Sequence, residues 1–316
     1  MAMASSASGI ITPLATPLTA SGDAIDHDGT RRLLNHVISG GVSGVFILGS
    51  TGEGPSLPPQ LRRDFITLCC TIVQEIFVGK ENDLEKFCLL VGVSDTCVKE
   101  TIALAAHAAA SGADAVVIAP PFYFPITQAE LKNYVRHVVE HTTLPIYLYN
   151  MPALTKVTFE IETVKELAKT YGDSGRIVGI KDSSFDLDYI SKLCQIKKEL
   201  CASWSVLTGA EWHVAQVVRM GGDGGVVGGS NIFPEAFVSF YQGAVTGNEG
   251  MENDARTKID ALKTIYDMAN GRFVQATKTS INVLGICEES YAMPLLPFTE
   301  EERALVERVV GNGAKK

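Results

Sequence analysis

Short runs of apolar, largely β-branched residues recur along this chain, each followed by a longer stretch whose apolar positions repeat every three or four residues. The runs Gly9–Leu14, Val42–Leu48, Cys88–Val93, Ala115–Ala119, Ile146–Asn150, Ile177–Lys181, Ser205–Leu207 and Gly225–Val227 predict strands. The stretches between them, Asp28–Ser39, Pro59–Glu75, Cys97–Ser111, Gln128–His141, Glu160–Tyr171, Leu187–Leu200 and Glu211–Met220, predict helices. Strands that are apolar almost throughout and separated by helices imply a parallel sheet covered on both faces. Eight such units favour closure over an open doubly wound sheet, which holds about five or six strands. The expected fold class is α/β, a (β/α)8 TIM barrel. Four more helical stretches follow: Pro234–Thr246, Met251–Asn270, Phe273–Cys287 and Thr299–Val310. The division expected is a barrel over residues 1–232 and a C-terminal helical layer over residues 233–316. No linker rich in Pro, Gly or Ser parts the two. The charged segment Phe77–Lys86 reads as a surface loop.

Composition narrows the function more than the fold. Hydrophobic residues make up 46% and charged residues 20%, a globular balance. A net charge of −9 argues against nucleic-acid and anionic-membrane partners, which require a basic footprint. An anionic substrate must then be captured by a local site. Seven cysteines without a C-x-x-C pair read as reduced thiols in a cytoplasmic protein. No apolar run approaches the ~18 residues of a membrane span. The opening MAMASSAS lacks a basic start followed by an apolar core, and the first arginine, Arg31, comes late for a targeting tail.

In a (β/α)8 barrel the chemistry sits at the C-terminal ends of the strands. The sixth run ends in Lys181. A lysine finishing an apolar strand carries its amine to a poorly solvated barrel mouth, where desolvation disfavours the ammonium and frees a nucleophile; pairing with Asp182 is the alternative. The fifth run ends at Tyr149-Asn150. Neighbouring strands would bring that phenol beside Lys181, where it could relay protons; a buried structural tyrosine is the alternative. The second run breaks into Gly49-Ser50-Thr51-Gly52-Glu53-Gly54. Two glycines flanking two hydroxyls can turn backbone N–H groups and side-chain oxygens onto a small carboxylate. No lysine follows as a phosphate loop requires. A carboxylate cradle, an imine-forming amine and a proton relay together suit aldol chemistry on a 2-oxo acid, with no metal and no cofactor required.

These residues carry a resemblance. Ile11-Thr12-Pro13, Gly49-Ser50-Thr51-Gly52-Glu53, Tyr149-Asn150-Met151-Pro152, Gly179-Ile180-Lys181-Asp182 and Gly221-Gly222-Asp223-Gly224 stand in the order and spacing of the dihydrodipicolinate synthase / N-acetylneuraminate lyase superfamily, which the chain resembles over essentially its full length. The resemblance implies Lys181 as the Schiff-base lysine, Tyr149 as general acid/base, and Ser50 with Thr51 as binders of the pyruvate carboxylate. It implies that Tyr123 approaches a neighbouring subunit's site and completes a hydroxyl relay there, in a homotetramer built as a dimer of dimers. Departures narrow the substrate. Synthases of this family carry an arginine after the Tyr-Asn-x-Pro motif, whereas this chain continues Ala153-Leu154-Thr155. A bidentate guanidinium is hard to replace for carboxylate recognition. Sialic acid lyases carry an acidic pair where this chain has Glu211-Trp212, and a serine where it has Gly228-Gly229. The expectation is therefore cleavage of a 2-keto-3-deoxy sugar acid to pyruvate and an aldehyde. The alternatives are 4-hydroxy-tetrahydrodipicolinate synthase, N-acetylneuraminate lyase, or a non-enzymatic pyruvate-binding paralogue.

Further candidates for substrate contact are Thr12 at the first strand, where a bond to Lys181 or the relay and a buried satisfied hydroxyl are equal alternatives, Ser183 and Ser184 after Lys181, Thr208, Gly209 and Glu211 at the seventh strand, and Gly228 at the eighth. Glu53 reads as structural, accepting hydrogen bonds from its own loop. The glycine run Gly221–Gly229 could admit a phosphate, but only Arg219 accompanies it. No histidine is assigned to catalysis.

Overall fold

The computed structural model describes residues 7–84 and 86–313. Residues 1–6, 314–316 and Glu85 lie outside the described residues, and the expectation about a leader falls there. Eight strands, β1 (Gly9–Pro13), β2 (Gly44–Ile47), β3 (Cys88–Gly92), β4 (Ala115–Ile118), β5 (Ile146–Asn150), β6 (Ile177–Asp182), β7 (Ser205–Thr208) and β8 (Gly224–Val226), pair in parallel in chain order. β8 returns to β1 and closes the barrel, with Gly9 opposite Gly224 and Ile11 opposite Val226. The (β/α)8 expectation holds.

The sequence forms these strands because both of their faces are apolar. One alternate set of residues, including Ile11, Phe46, Leu90, Val117, Tyr147, Leu207 and Val226, fills the barrel. The other set, including Ile10, Val45, Val91, Val116, Leu148, Ile180 and Val206, meets the helices. Each such side chain removed from water contributes about 1.5–3 kcal/mol. Glycines appear where two parts compete for space. A Cβ on Gly179 would lie 2.6 Å from the ring of Tyr147, and one on Gly224 would lie 2.0 Å from the Gly9 carbonyl oxygen. Tyr147 closes the barrel floor: its hydroxyl accepts from the Ala7 N–H at 3.0 Å and lies 3.1 Å from Ser205 Oγ.

The helices His27–Ser39, Pro59–Ile76, Val98–Ser111, Gln128–His141, Ile161–Tyr171, Leu187–Leu200 and Val214–Arg219 occupy the places expected of them. Their ends follow local chemistry. Thr127 and Glu130 form a reciprocal capping box at one start, and Gly112 ends another helix at φ 92°. Two details differ from expectation. The stretch after β7 begins as a 3₁₀ turn, Glu211–His213, before the helix proper. The charged insert holds a short helix, Glu81–Leu84. Beyond β8 run the helices Pro234–Thr246, Glu249–Ala269, Phe273–Val283 and Glu300–Gly313. Among the described residues no helix is long and apolar enough to cross a membrane.

Candidate active site

The strand ends converge on a cavity of about 470 Å³ at the C-terminal mouth of the barrel. Lys181 lines it at the end of β6 and is 6% exposed. Register places Tyr149 directly beside Lys181 on β5, and Leu207 on its other side on β7. Lys181 Nζ lies 4.2 Å from the centre of the Tyr149 ring and 5.0 Å from that of Phe46. Asp182 points away from it, accepting from Asn150 Nδ2 at 2.7 Å and from Ser184 Oγ at 2.8 Å. The surface-pairing alternative for the lysine is therefore not what the structure holds. Gly209 makes room for it, since a Cβ there would lie 2.1 Å from Ser183 Oγ and 3.3 Å from Lys181 Cε.

Tyr149 is the polar partner of this amine. Its hydroxyl lies 3.4 Å from Ser50 Oγ, which joins it to the turn after β2. Burial alone would push the phenol up, but the Lys181 charge and hydrogen bonds with Ser50, Ser183 and Lys181 outweigh burial and bring it below its ordinary value. A phenol made more acidic by its surroundings is suited to giving and taking protons beside the lysine. Ser50 and Thr51 line the same cavity, as do Ser183, Gly209, Glu211 and Gly228.

Glu211 is the one carboxylate among the described residues lining the cavity. Its Oε1 accepts from the Gly229 N–H at 2.7 Å and from the Tyr266 hydroxyl at 3.4 Å, while Oε2 is buried without a partner. Burial pushes this carboxyl up to about 7, against the opposing pull of the Gly229 N–H, the Tyr266 hydroxyl and the Gly228 N–H. Lys181 is the one cation lining the cavity among the described residues.

Thr12 and Thr208, candidates for substrate contact, stand outside the cavity lining. Thr12 does not reach Lys181 or the relay: its hydroxyl sits 2.9 Å from Ser230 Oγ, fully buried. Thr208 does not line the cavity, and its Oγ1 accepts from the Ala210 N–H at 3.0 Å. Both follow inward-facing residues, Ile11 and Leu207, so strand alternation turns them outward. Tyr123 stands away from its own chain's cavity, 84% exposed, with its ring 5.0 Å from that of Phe124. Glu53 is structural as expected, but its partners are not in its own loop. Lys278 Nζ donates to Glu53 Oε1 at 2.5 Å and the Ala292 N–H to Oε2 at 2.8 Å. Arg219, the candidate phosphate partner, is paired with Glu252.

Sequence reasoning missed the residues that come from beyond the barrel. Tyr266, Ala269, Phe273 and Thr277 form one side of the cavity. The Trp212 indole lies edge-on to Tyr266, with centroids 6.0 Å apart, and donates to Asp260 Oδ1 at 3.1 Å. It also passed over His137, Glu140 and His141, whose ligand atoms gather on an exposed face at the end of the helix Gln128–His141. All seven cysteines are free thiols.

A closed (β/α)8 barrel with a buried lysine, a tyrosine and a hydroxyl-bearing turn at its mouth defines an enzyme, of the lyase class. The profile of the Dihydrodipicolinate synthetase family matches residues 6–312, and the chain belongs to that family. It is similar to the probable 2-dehydro-3-deoxy-D-pentonate aldolase YjhH of Escherichia coli, 30% identical over 93% of each chain. It is also similar to the 4-hydroxy-tetrahydrodipicolinate synthase of Methanocaldococcus jannaschii, 28% identical over 96% of this chain and 97% of that one. Among solved structures, dihydrodipicolinate synthase from Bacteroides thetaiotaomicron superposes with a TM-score of 0.87 at 36% identity, over 96% of this chain and 98% of that one. YagE from Escherichia coli, solved in complex with pyruvate, superposes with a TM-score of 0.86 at 28% identity, over 97% and 98%.

Proposed function

We propose that the chain is a class I aldolase that cleaves a 2-keto-3-deoxy sugar acid to pyruvate and an aldehyde. The observation that carries this is the placement of the buried Lys181 amine against Tyr149, with Ser50 and Thr51 on the same cavity. Neutral Lys181 Nζ attacks the C2 carbonyl carbon, and loss of the C2 oxygen as water leaves a protonated imine. Tyr149 carries the protons between the carbinolamine and the leaving hydroxyl. The imine then withdraws the electron pair of the C3–C4 bond as Tyr149 takes the proton from the C4 hydroxyl, which releases the aldehyde and leaves an enamine. Protonation at C3 and addition of water return pyruvate and the free amine. The hydroxyls of Ser50 and Thr51, with the N–H groups of their turn, hold the substrate carboxylate throughout.

The far end of the cavity favours the sugar-acid reading over condensation with aspartate semialdehyde. Among the described lining residues Lys181 is the sole cation and it is committed to the imine, so a second carboxylate would meet Glu211 rather than a guanidinium. The names of two relatives, a 2-dehydro-3-deoxy-D-pentonate aldolase and a putative 2-dehydro-3-deoxy-D-gluconate aldolase, agree with an uncharged aldehyde product. Exposed Tyr123 suits the role that its family resemblance implies, reaching a neighbouring copy's site in an oligomer. Borohydride reduction in the presence of pyruvate should leave a stable adduct on Lys181, located by peptide mass spectrometry. Lys181→Ala should lose both the adduct and pyruvate release from a panel of 2-keto-3-deoxy acids. An adduct on another lysine, or turnover by the alanine variant, refutes the assignment.

A further inference from the structure

The turn that carries Ser50 and Thr51 is held in a shape that its own residues resist. Leu48 and Glu53 flank it with φ of 57° and 56°, the left-handed region that side chains other than glycine's rarely adopt. Gly52 and Gly54 inside it are packed onto backbone just past the ends of β1 and β2. A Cβ on Gly52 would lie 2.8 Å from the Leu14 carbonyl oxygen, and one on Gly54 would lie 2.1 Å from that of Leu48. The turn's own hydrogen bonds, Glu53 N–H to the Ser50 carbonyl and Gly54 N–H to that of Gly49, are both 3.2 Å long. Strained backbone persists where its surroundings over-determine it.

Thr16 Oγ1 donates to the Gly52 carbonyl at 2.6 Å, and the remaining hold comes from the far end of the chain. The Glu53 carboxylate is bound on one oxygen by Lys278 Nζ at 2.5 Å and on the other by the Ala292 N–H at 2.8 Å. The two charged side chains are 1% and 0% exposed. Lys278 Nζ also lies 5.5 Å from the centre of the Tyr291 ring, and Tyr291 donates to Glu289 Oε1 at 2.7 Å. Thr277, the residue before Lys278, lines the cavity. One helix turn thus touches the substrate space and grips the turn that bounds it. A buried ion pair adds little net stability over apolar residues of equal volume, because desolvation offsets attraction. What the pair supplies, together with the Ala292 N–H, is direction: the two fix one carboxylate oxygen each, and through them the backbone of Glu53.

We propose that Lys278 is a positioning residue for the substrate's carboxylate: its ion pair with Glu53 holds Gly49–Gly54 in the shape that presents Ser50 and Thr51 to the cavity. This rests on the reading of that turn as the carboxylate cradle. It assigns the helices beyond the barrel a part in binding the pyruvate end.

The test uses the full-length chain with Lys278→Met and Glu53→Gln, the second removing the charge and leaving one acceptor oxygen where the carboxylate has two. The readout is the pyruvate concentration that half-saturates borohydride labelling of Lys181, together with the rate of aldol addition at saturating pyruvate. In Lys278→Met the half-saturating concentration should rise about tenfold or more while the saturated rate stays within about threefold. Glu53→Gln should move it in the same direction. A purely structural role would lower the melting temperature and the labelled fraction but leave half-saturation where it was, and that result overturns the proposal. If Lys278→Met does not fold, unchanged half-saturation in Glu53→Gln overturns it alone. If the wild-type chain forms no adduct, the class I reading fails by itself. Calorimetric titration with pyruvate then decides the same question, weaker binding by the variants supporting the positioning role and equal binding overturning it.

Discussion

Replacing Glu211 by glutamine isolates the cost of a buried carboxylate at the cavity wall. The side chain is buried with Oε2 unpartnered, and its ionisation is displaced by that burial from an ordinary value of 4.5 up to about 7. In the unfolded chain the proton leaves near 4.5, in the folded chain only near 7. The folded state therefore binds the extra proton over that interval, and unfolding stability falls as pH rises through it. The contribution is fully present below about 4.5 and lost above about 7. Each tenfold in proton affinity is worth about 1.4 kcal/mol, so the loss is on the order of 3 kcal/mol. Glutamine keeps an oxygen for the Gly229 N–H and cannot ionise, so it escapes the decline. Melting curves of both proteins between pH 4.5 and 8 should converge at the acid end. They should separate at the alkaline end, with Glu211→Gln the more stable by roughly 6 °C at about 2 °C per kcal/mol for a chain of this length. Parallel profiles across the interval would refute the reasoning, showing that the carboxyl finds solvent or a donor in the folded chain.

Other outcomes follow from the same geometry. Tyr149→Phe should lower the turnover rate by roughly 10²–10⁴-fold with half-saturation little changed, as expected for a lost proton relay in steady-state kinetics. Because the Lys181 charge and hydrogen bonds hold the Tyr149 phenol below 10 despite its burial, the alkaline limb of the wild-type kcat/KM profile should fall below pH 10 and be absent from the phenylalanine variant. Gly179→Ala should lower the melting temperature, because its Cβ would lie 2.4 Å from the Ser205 carbonyl oxygen and 2.6 Å from the Tyr147 ring, with overpacking of this kind costing about 1–3 kcal/mol. An unshifted melting curve would mean that the barrel interior yields more than close packing allows.

The strands were legible because both faces of each are buried, leaving short β-branched runs with no polar alternation. β8 is the hardest strand to bound, since Gly224 and Gly225 bring no side-chain signal; the small size of Gly224 serves the closure against Gly9, and that of Gly225 the packing of Val214. Lys181 and Tyr149 were legible because the strand-end rule needs only a strand and its last residue. Thr12 and Thr208 lie beside strand ends yet outside the cavity lining, because strand alternation turns every second residue outward. The true partners of Glu53, and the wall made by Tyr266, Phe273 and Thr277, were not legible at all. Lys278 is 225 positions from Glu53 along the chain, and no local pattern says which turn of a later helix will cover a barrel mouth.

The proposed chemistry and one wall of the cavity it works in are written on different stretches of the chain. Lys181, Tyr149, Ser50 and Thr51 sit on or just after strands β2, β5 and β6, whereas Tyr266, Ala269 and Phe273 belong to helices that begin only after β8. A lineage could therefore reshape that wall by drift in these late helices while the lysine and its tyrosine stayed fixed. Lys278 sets the boundary of that freedom, because the helix free to vary at Phe273 is tethered one turn later to the turn that grips the acid.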